Sequence, residues 1–188
     1  SVGVVYVSPV MFREPAPALV ALRAAIDKAQ VPLGYLHENQ QLARQDGVVA
    51  EVLHPPPHGG AREGNDGGDN GNSLVLQLTC GRHRILLTGD LEEQGLDELL
   101  AEQPVPCQVL LAPHHGSPRS RPADIMGWTN PDLVVISAGA GLPGKWADSD
   151  YGRNDALVLW THRDGMIEVV TDGRQLRITT WRQQIFHK

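Results

Sequence analysis

Cysteine is nearly absent from this chain: 188 residues hold two, Cys80 and Cys107, and neither belongs to a Cys-x-x-Cys pair. That excludes a zinc ribbon and a multi-bridge disulfide framework, leaves room for one bridge, and favours two unlinked thiols. Aromatic residues are scarce at 5%, so Trp128, Trp146, Trp160 and Trp181 read as packing residues before they read as platforms for nucleobases. Positive charge is in the minority. Sixteen Lys and Arg against 22 Asp and Glu give a net charge of −6, which excludes a surface that grips nucleic acid over its whole area and leaves only a local basic groove. No apolar run is long enough for a transmembrane helix, and no basic segment precedes the first apolar run as in a signal peptide. Without an initiator methionine, the sequence reads as a piece excised from a longer protein.

Glycine and proline, by contrast, are plentiful at 20 and 14, and with 41% hydrophobic content they describe one domain with a core and long irregular loops. Val2 to Val7 reads as a strand, and Glu14 to Lys28 as a helix with Leu19, Leu22 and Ile26 at helical spacing. Leu33 to Leu36 and Val48 to Leu53 read as strands, the second entered through a turn at Asp46-Gly47. Residues 54–72, with Pro55-Pro56-Pro57 and many glycines, read as a mobile loop, a plain surface excursion or a lid bringing His54 or His58 to a substrate. Ser73 to Thr79 and His83 to Thr88 form a hairpin through Cys80-Gly81-Arg82, and Glu92 to Glu102 is a helix with Glu92-Glu93 at its positive end. Cys107 to Ala112 and Leu133 to Ser137 are apolar strands, separated by a brief helix starting near Pro122. Ala138 to Asn154 reads as irregular. The tail resolves into three strands turned at Asp164-Gly165 and Asp172-Gly173, a β-meander.

Two strand ends carry the chemistry. Leu86-Leu87-Thr88-Gly89-Asp90 delivers a carboxylate and Ala112-Pro113-His114-His115-Gly116-Ser117 delivers two imidazoles, residue types that suit zinc, manganese or iron when rigid strands hold them. Each half alone has a plainer reading: a Gly-Asp pair at a strand end is often a turn, and adjacent loop histidines are often solvated. Arg119 and Arg121 lie just past the histidine loop. With Arg82, Arg84, Lys145 and Arg153 they are candidates for a phosphate track, or simply solvated charges.

Together with Asn72 to Leu76, Val135-Ile136-Ser137 and the late run Thr161 to Gly173, these motifs resemble the second half of the metallo-β-lactamase-like domain at the carboxyl end of the ComEC DNA-internalisation competence proteins. The resemblance implies an α/β fold, an αββα sandwich here partial and lacking its first-half strands, with metals at one edge that act on phosphodiesters or other esters. It implies Asp90 and His115 as metal ligands for zinc or manganese and His114 as a phosphate contact or a hydrogen-bond donor behind a ligand. Ser117 would orient an imidazole, and Arg119, Arg121 and Arg153 would contact substrate. It also implies single-stranded DNA as a partner, and a parent protein with a channel in the bacterial cytoplasmic membrane whose matching domain faces outward. Two departures qualify this. The family's His-x-Asp-x-Asp-His run is missing, and Tyr151-Gly152-Arg153-Asn154 stands where the family has Tyr-Gly-His-Pro. A guanidinium cannot ligate a cation but can hold a phosphate. A partial site is therefore expected, with no dinuclear hydrolysis by these residues alone. Three functions stay open: half of a metal-dependent nuclease or phosphodiesterase, a non-catalytic structural or DNA-guiding domain, and a hydrolase of thioesters or lactones.

Overall fold

Alternating apolar runs build a layered centre. A computed structural model describes residues 2–14, 16–42, 47–58, 69–140, 146–181 and 184–187. In chain order the elements are β1 (Val5–Val7), α1 (Pro17–Lys28), β2 (Leu33–Tyr35), β3 (Gln41–Leu42), β4 (Val48–His54), β5 (Val75–Cys80), β6 (His83–Leu87) and α2 (Glu93–Ala101). Then follow β7 (Val109–Leu111), α3 (Pro122–Thr129), β8 (Leu133–Ile136), α4 (Trp146–Tyr151), β9 (Leu157–Trp160), α5 (Thr161–Asp164), β10 (Ile167–Thr171), β11 (Leu176–Thr180) and β12 (Gln184–His187).

The main sheet runs β3-β4-β5-β6-β7-β8-β9. It is antiparallel from β3 to β6 and parallel from β6 to β9, so the protein is mixed α/β. Period-two alternation assigns the two faces. Leu86, Leu110, Val134, Ile136 and Trp160 point to one face, where Leu96 and Leu99 of α2, Ile125, Met126 and Trp128 of α3 and Tyr151 of α4 cover them. Val109, Leu133 and Leu159 point to the other, where Leu176 and Ile178 of β11 pack. The small antiparallel sheet β10-β11-β12 thus lies on the face opposite the helices. Its β10-β11 turn touches the Gly81-Arg82 hairpin, where Arg82 N donates to Gly173 O at 3.1 Å and the His83 ring lies 2.6 Å from Thr171 Oγ1. A separate pair, β1 and β2, is parallel and bridged by α1.

The Cys80-Gly81-Arg82 hairpin, α2 and the helix at Pro122 stand where the sequence places them. Three readings change. The link at Asp164-Gly165 is not a hairpin: β9 joins the main sheet parallel to β8, α5 makes one helical turn, and β12 supplies the third meander strand. Thr161 and Asp164 explain this turn, since Asp164 Oδ2 accepts Trp160 N–H at 2.8 Å and Gly165 N–H closes on Thr161 O. Second, the stretch from Ala138 holds α4, whose Tyr151 is fully buried with its hydroxyl 3.2 Å from Ser120 Oγ. Third, the ends of the 54–72 loop are packed: His54 and Asn72 are buried, and Asp69–Asn72 forms a 3-10 turn against α2. The middle of that loop, Asp46 and Lys145 lie outside the described residues, as does the Trp146 side chain. Both thiols are unlinked. No described helix is long and apolar enough to cross a membrane.

Candidate functional site

Because β6, β7, β8 and β9 are parallel neighbours, their carboxyl ends line one edge of the sheet, the place where open α/β sheets bind ligands. Asp90 follows β6, His114 and His115 follow β7, Ser137 follows β8 and Thr161 follows β9. The loops are stapled together: Thr88 Oγ1 donates to Leu111 O at 2.7 Å, His114 N to Gly89 O at 3.0 Å, and Ala112 N to Val135 O at 2.9 Å. Gly89 takes φ +56°, a left-handed turn that points Asp90 back over the sheet edge, and glycine adopts it without strain. His114 and His115 also have positive φ, 44° and 55°, which costs about 1 kcal/mol or more each and is the kind of strain found at binding sites.

The two imidazoles face different partners. His115 Nδ1 lies 2.7 Å from Ser137 O, and its Nε2 lies 3.5 Å from Asp90 Oδ1. A carbonyl only accepts, so the Nδ1 hydrogen goes to Ser137. Nε2 then faces the carboxylate either as the N–H of an imidazolium or, in the neutral ring, as a lone pair. Two acceptors at that distance repel unless a positive centre lies between them. Beside them is a recess of about 470 Å³ lined by His115, Ser137, Ala138, Gly139 and Thr161. His114 turns away instead. Its Nδ1 lies 2.5 Å from Glu92 Oε2, and Asn70 Nδ2 donates to Glu92 Oε1 at 2.9 Å. Glu92, a buried carboxylate at the start of α2, reads from sequence only as a helix-terminal charge, although it lies two positions past Asp90.

The other candidates fall around this edge. Ser117 Oγ accepts Arg119 N–H at 3.3 Å, capping the 3-10 turn Pro118–Ser120, and no bond from it to either imidazole is present among the described residues. Arg119 is exposed, its guanidinium 3.9 Å from Glu93. Arg121 is engaged by Asp124 at 2.7 Å and by Asp97, and these carboxylates, Asp124 first, raise its affinity for its proton. Arg153 lies 3.3 Å from Asp150. Trp128 and Trp160 are buried, while Trp181 is exposed. His54 is buried between Ser73 O and Glu98. Among the described residues no three His, Cys, Asp or Glu side chains converge as ligands; Asp90 and His115 make a pair.

No family model matches the chain. It is 34% identical over 108 residues to the competence protein ComA of Neisseria gonorrhoeae, which is 56% of this chain and 15% of that protein. It is 30% identical over 169 residues to the ComE operon protein 3 of Bacillus subtilis, 76% of this chain and 21% of that one. Over 78 residues, 42% of the chain and 10% of the relative, it is 33% identical to the recombination protein 2 of Haemophilus influenzae. The chain thus corresponds to about a fifth or less of the length of these relatives.

Proposed function

We propose that this chain, whose homologues are ComEC-family competence proteins, is part of a metallo-β-lactamase-like αββα domain of a DNA-uptake protein. In this reading its strand-end edge carries part of a divalent-cation site that engages the phosphodiester of incoming single-stranded DNA. The parent would lie in the cytoplasmic membrane, with this domain on the outer side beside the channel. The observation that carries the reading is the confrontation of His115 Nε2 with Asp90 Oδ1 at 3.5 Å. Two donors bound at about 2.1 Å to one tetrahedral zinc stand about 3.4 Å apart, so the pair fits one cation, zinc or manganese. Ser137 O fixes the ring and its tautomer, the usual task of a group behind a ligating histidine. A divalent cation would supply Lewis acidity toward a phosphoryl oxygen. Two side chains are too few for the dinuclear centre of the wider fold family, so these residues by themselves bind rather than hydrolyse.

The test is binding of a fluorescent single-stranded oligonucleotide with and without manganese or zinc. Affinity should rise with the cation, and the increase should vanish in Asp90→Asn and His115→Ala. Binding that ignores both the cation and the substitutions would instead support a guiding domain without a metal role and overturn the proposal.

A further inference from the structure

Adjacent in sequence, His114 and His115 serve different ends, and the difference is set by a buried carboxylate to which the sequence motifs give no role. Glu92 is 6% exposed, and among the described residues each of its oxygens has one partner: Oε1 accepts the Asn70 amide N–H at 2.9 Å, and Oε2 lies 2.5 Å from His114 Nδ1. A carboxylate has only lone pairs to offer, so the hydrogen in that second contact belongs to the imidazole. We infer that Glu92 and Asn70 are positioning residues that hold His114 in the Nδ1–H tautomer and leave its Nε2 as an acceptor. Among the described residues no side chain partners that Nε2.

The consequence is chemical. A neutral imidazole in this tautomer has no hydrogen left for a phosphate oxygen, which is itself an acceptor. In that neutral form His114 gives no hydrogen to a phosphate oxygen. It accepts a hydrogen from a hydroxyl-bearing group brought to the strand-end edge, a water or the terminal hydroxyl of a DNA strand. Its place in DNA binding rests on the function proposed above, whereas the tautomer rests on the Glu92 geometry alone. Asn70 matters because it gives the carboxylate a direction. In Glu92→Gln, the Asn70 N–H keeps the new carbonyl oxygen at its own side, so the glutamine amide N–H faces His114 Nδ1. The ring then has to carry its hydrogen on Nε2.

Long-range ¹H–¹⁵N imidazole spectra of the full chain at about pH 8 read the tautomer directly. The Nδ1–H pattern is expected for His114 in the wild type and the Nε2–H pattern in Glu92→Gln. A wild-type Nε2–H pattern, or a doubly protonated ring at that pH, overturns the inference even if the variant does not fold. An unchanged tautomer in a folded Glu92→Gln overturns it as well. Zinc affinity on the same samples separates this inference from the proposed function. It should stay within about twofold of wild type in Glu92→Gln while falling at least tenfold in His115→Ala. A fall in Glu92→Gln as large as in His115→Ala would make His114 a ligand and end the acceptor role.

Discussion

Gly95→Ala sets two physical effects of opposite sign against each other on the helix that carries Glu92. Gly95 lies inside α2, where alanine is a better helix former than glycine by about 1 kcal/mol, so propensity alone predicts a more stable protein. The structure predicts the reverse. A Cβ at this position would stand 2.1 Å from Gly71 O and 2.8 Å from both Gly71 C and Leu91 Cδ1. The leucine methyl can rotate aside, but the carbonyl belongs to the 3-10 turn Asp69–Asn72, which has to move as a piece. Overpacking of this kind costs about 1–3 kcal/mol. Moving the turn also draws Asn70 off Glu92, and losing a hydrogen bond to a charged group costs about 1.5–3 kcal/mol. Set against the propensity gain, the net effect is destabilisation by about 1.5–5 kcal/mol, or a fall in Tm of roughly 3–20 °C for a chain of this length. Urea unfolding followed by the fluorescence of buried Trp128 and Trp160 measures it. A midpoint at or above the wild-type value would refute the reasoning, and with it the docking of residues 69–72 on α2.

Three further outcomes follow from the same structure. Tyr151→Phe removes a hydroxyl paired with Ser120 in the core and should cost about 1 kcal/mol in the same unfolding assay, with the slope against urea unchanged. Burial, aided by the charge of Asp132, pushes the Cys107 thiol up to about 12, while an unfolded thiol ionises near 8.5. The folded state then keeps a proton that the unfolded state loses, so stability falls as pH rises above about 8.5. Cys107→Val should flatten that fall between about pH 8 and 10, and parallel curves for the two proteins would contradict it. If single-stranded DNA lies along this edge, Arg119→Ala should lower the salt slope of binding by about 0.7, while Arg121→Ala should leave it nearly unchanged. Asp97 and Asp124 already neutralise Arg121, and equal slopes for the two variants would count against the placement.

The strand-end edge is legible in the sequence because each parallel strand is a short apolar run followed at once by its functional residue. Thr88-Gly89-Asp90 and Pro113-His114-His115 can be read without knowing the sheet order. The partner of each side chain cannot. Ser137 and Thr161 reach the site only because β8 and β9 continue the parallel order, a long-range fact that local patterning does not encode. Glu92 hides for a different reason: an acidic residue at a helix start has a sufficient local explanation in the helix dipole, which masks its bond to a histidine 22 positions away. The Asp164-Gly165 turn misleads because the same dipeptide that closes hairpins also ends a helical turn, with Asp164 bonded to Trp160 N–H and glycine supplying φ 77°. Helix α4 has too few apolar residues to show a period. Among its described side chains Tyr151 anchors it in the core.

The pairing of Asp90 with His115 as a cation site is tested most directly by anomalous diffraction at the zinc edge from crystals of the full chain equilibrated with zinc. The account predicts a peak about 2.1 Å from both His115 Nε2 and Asp90 Oδ1, with Ser137 O still bonded to Nδ1 and His114 still turned to Glu92. Zinc bound only at other histidines, such as His37 or His162, with the His115–Asp90 edge unchanged, would contradict it.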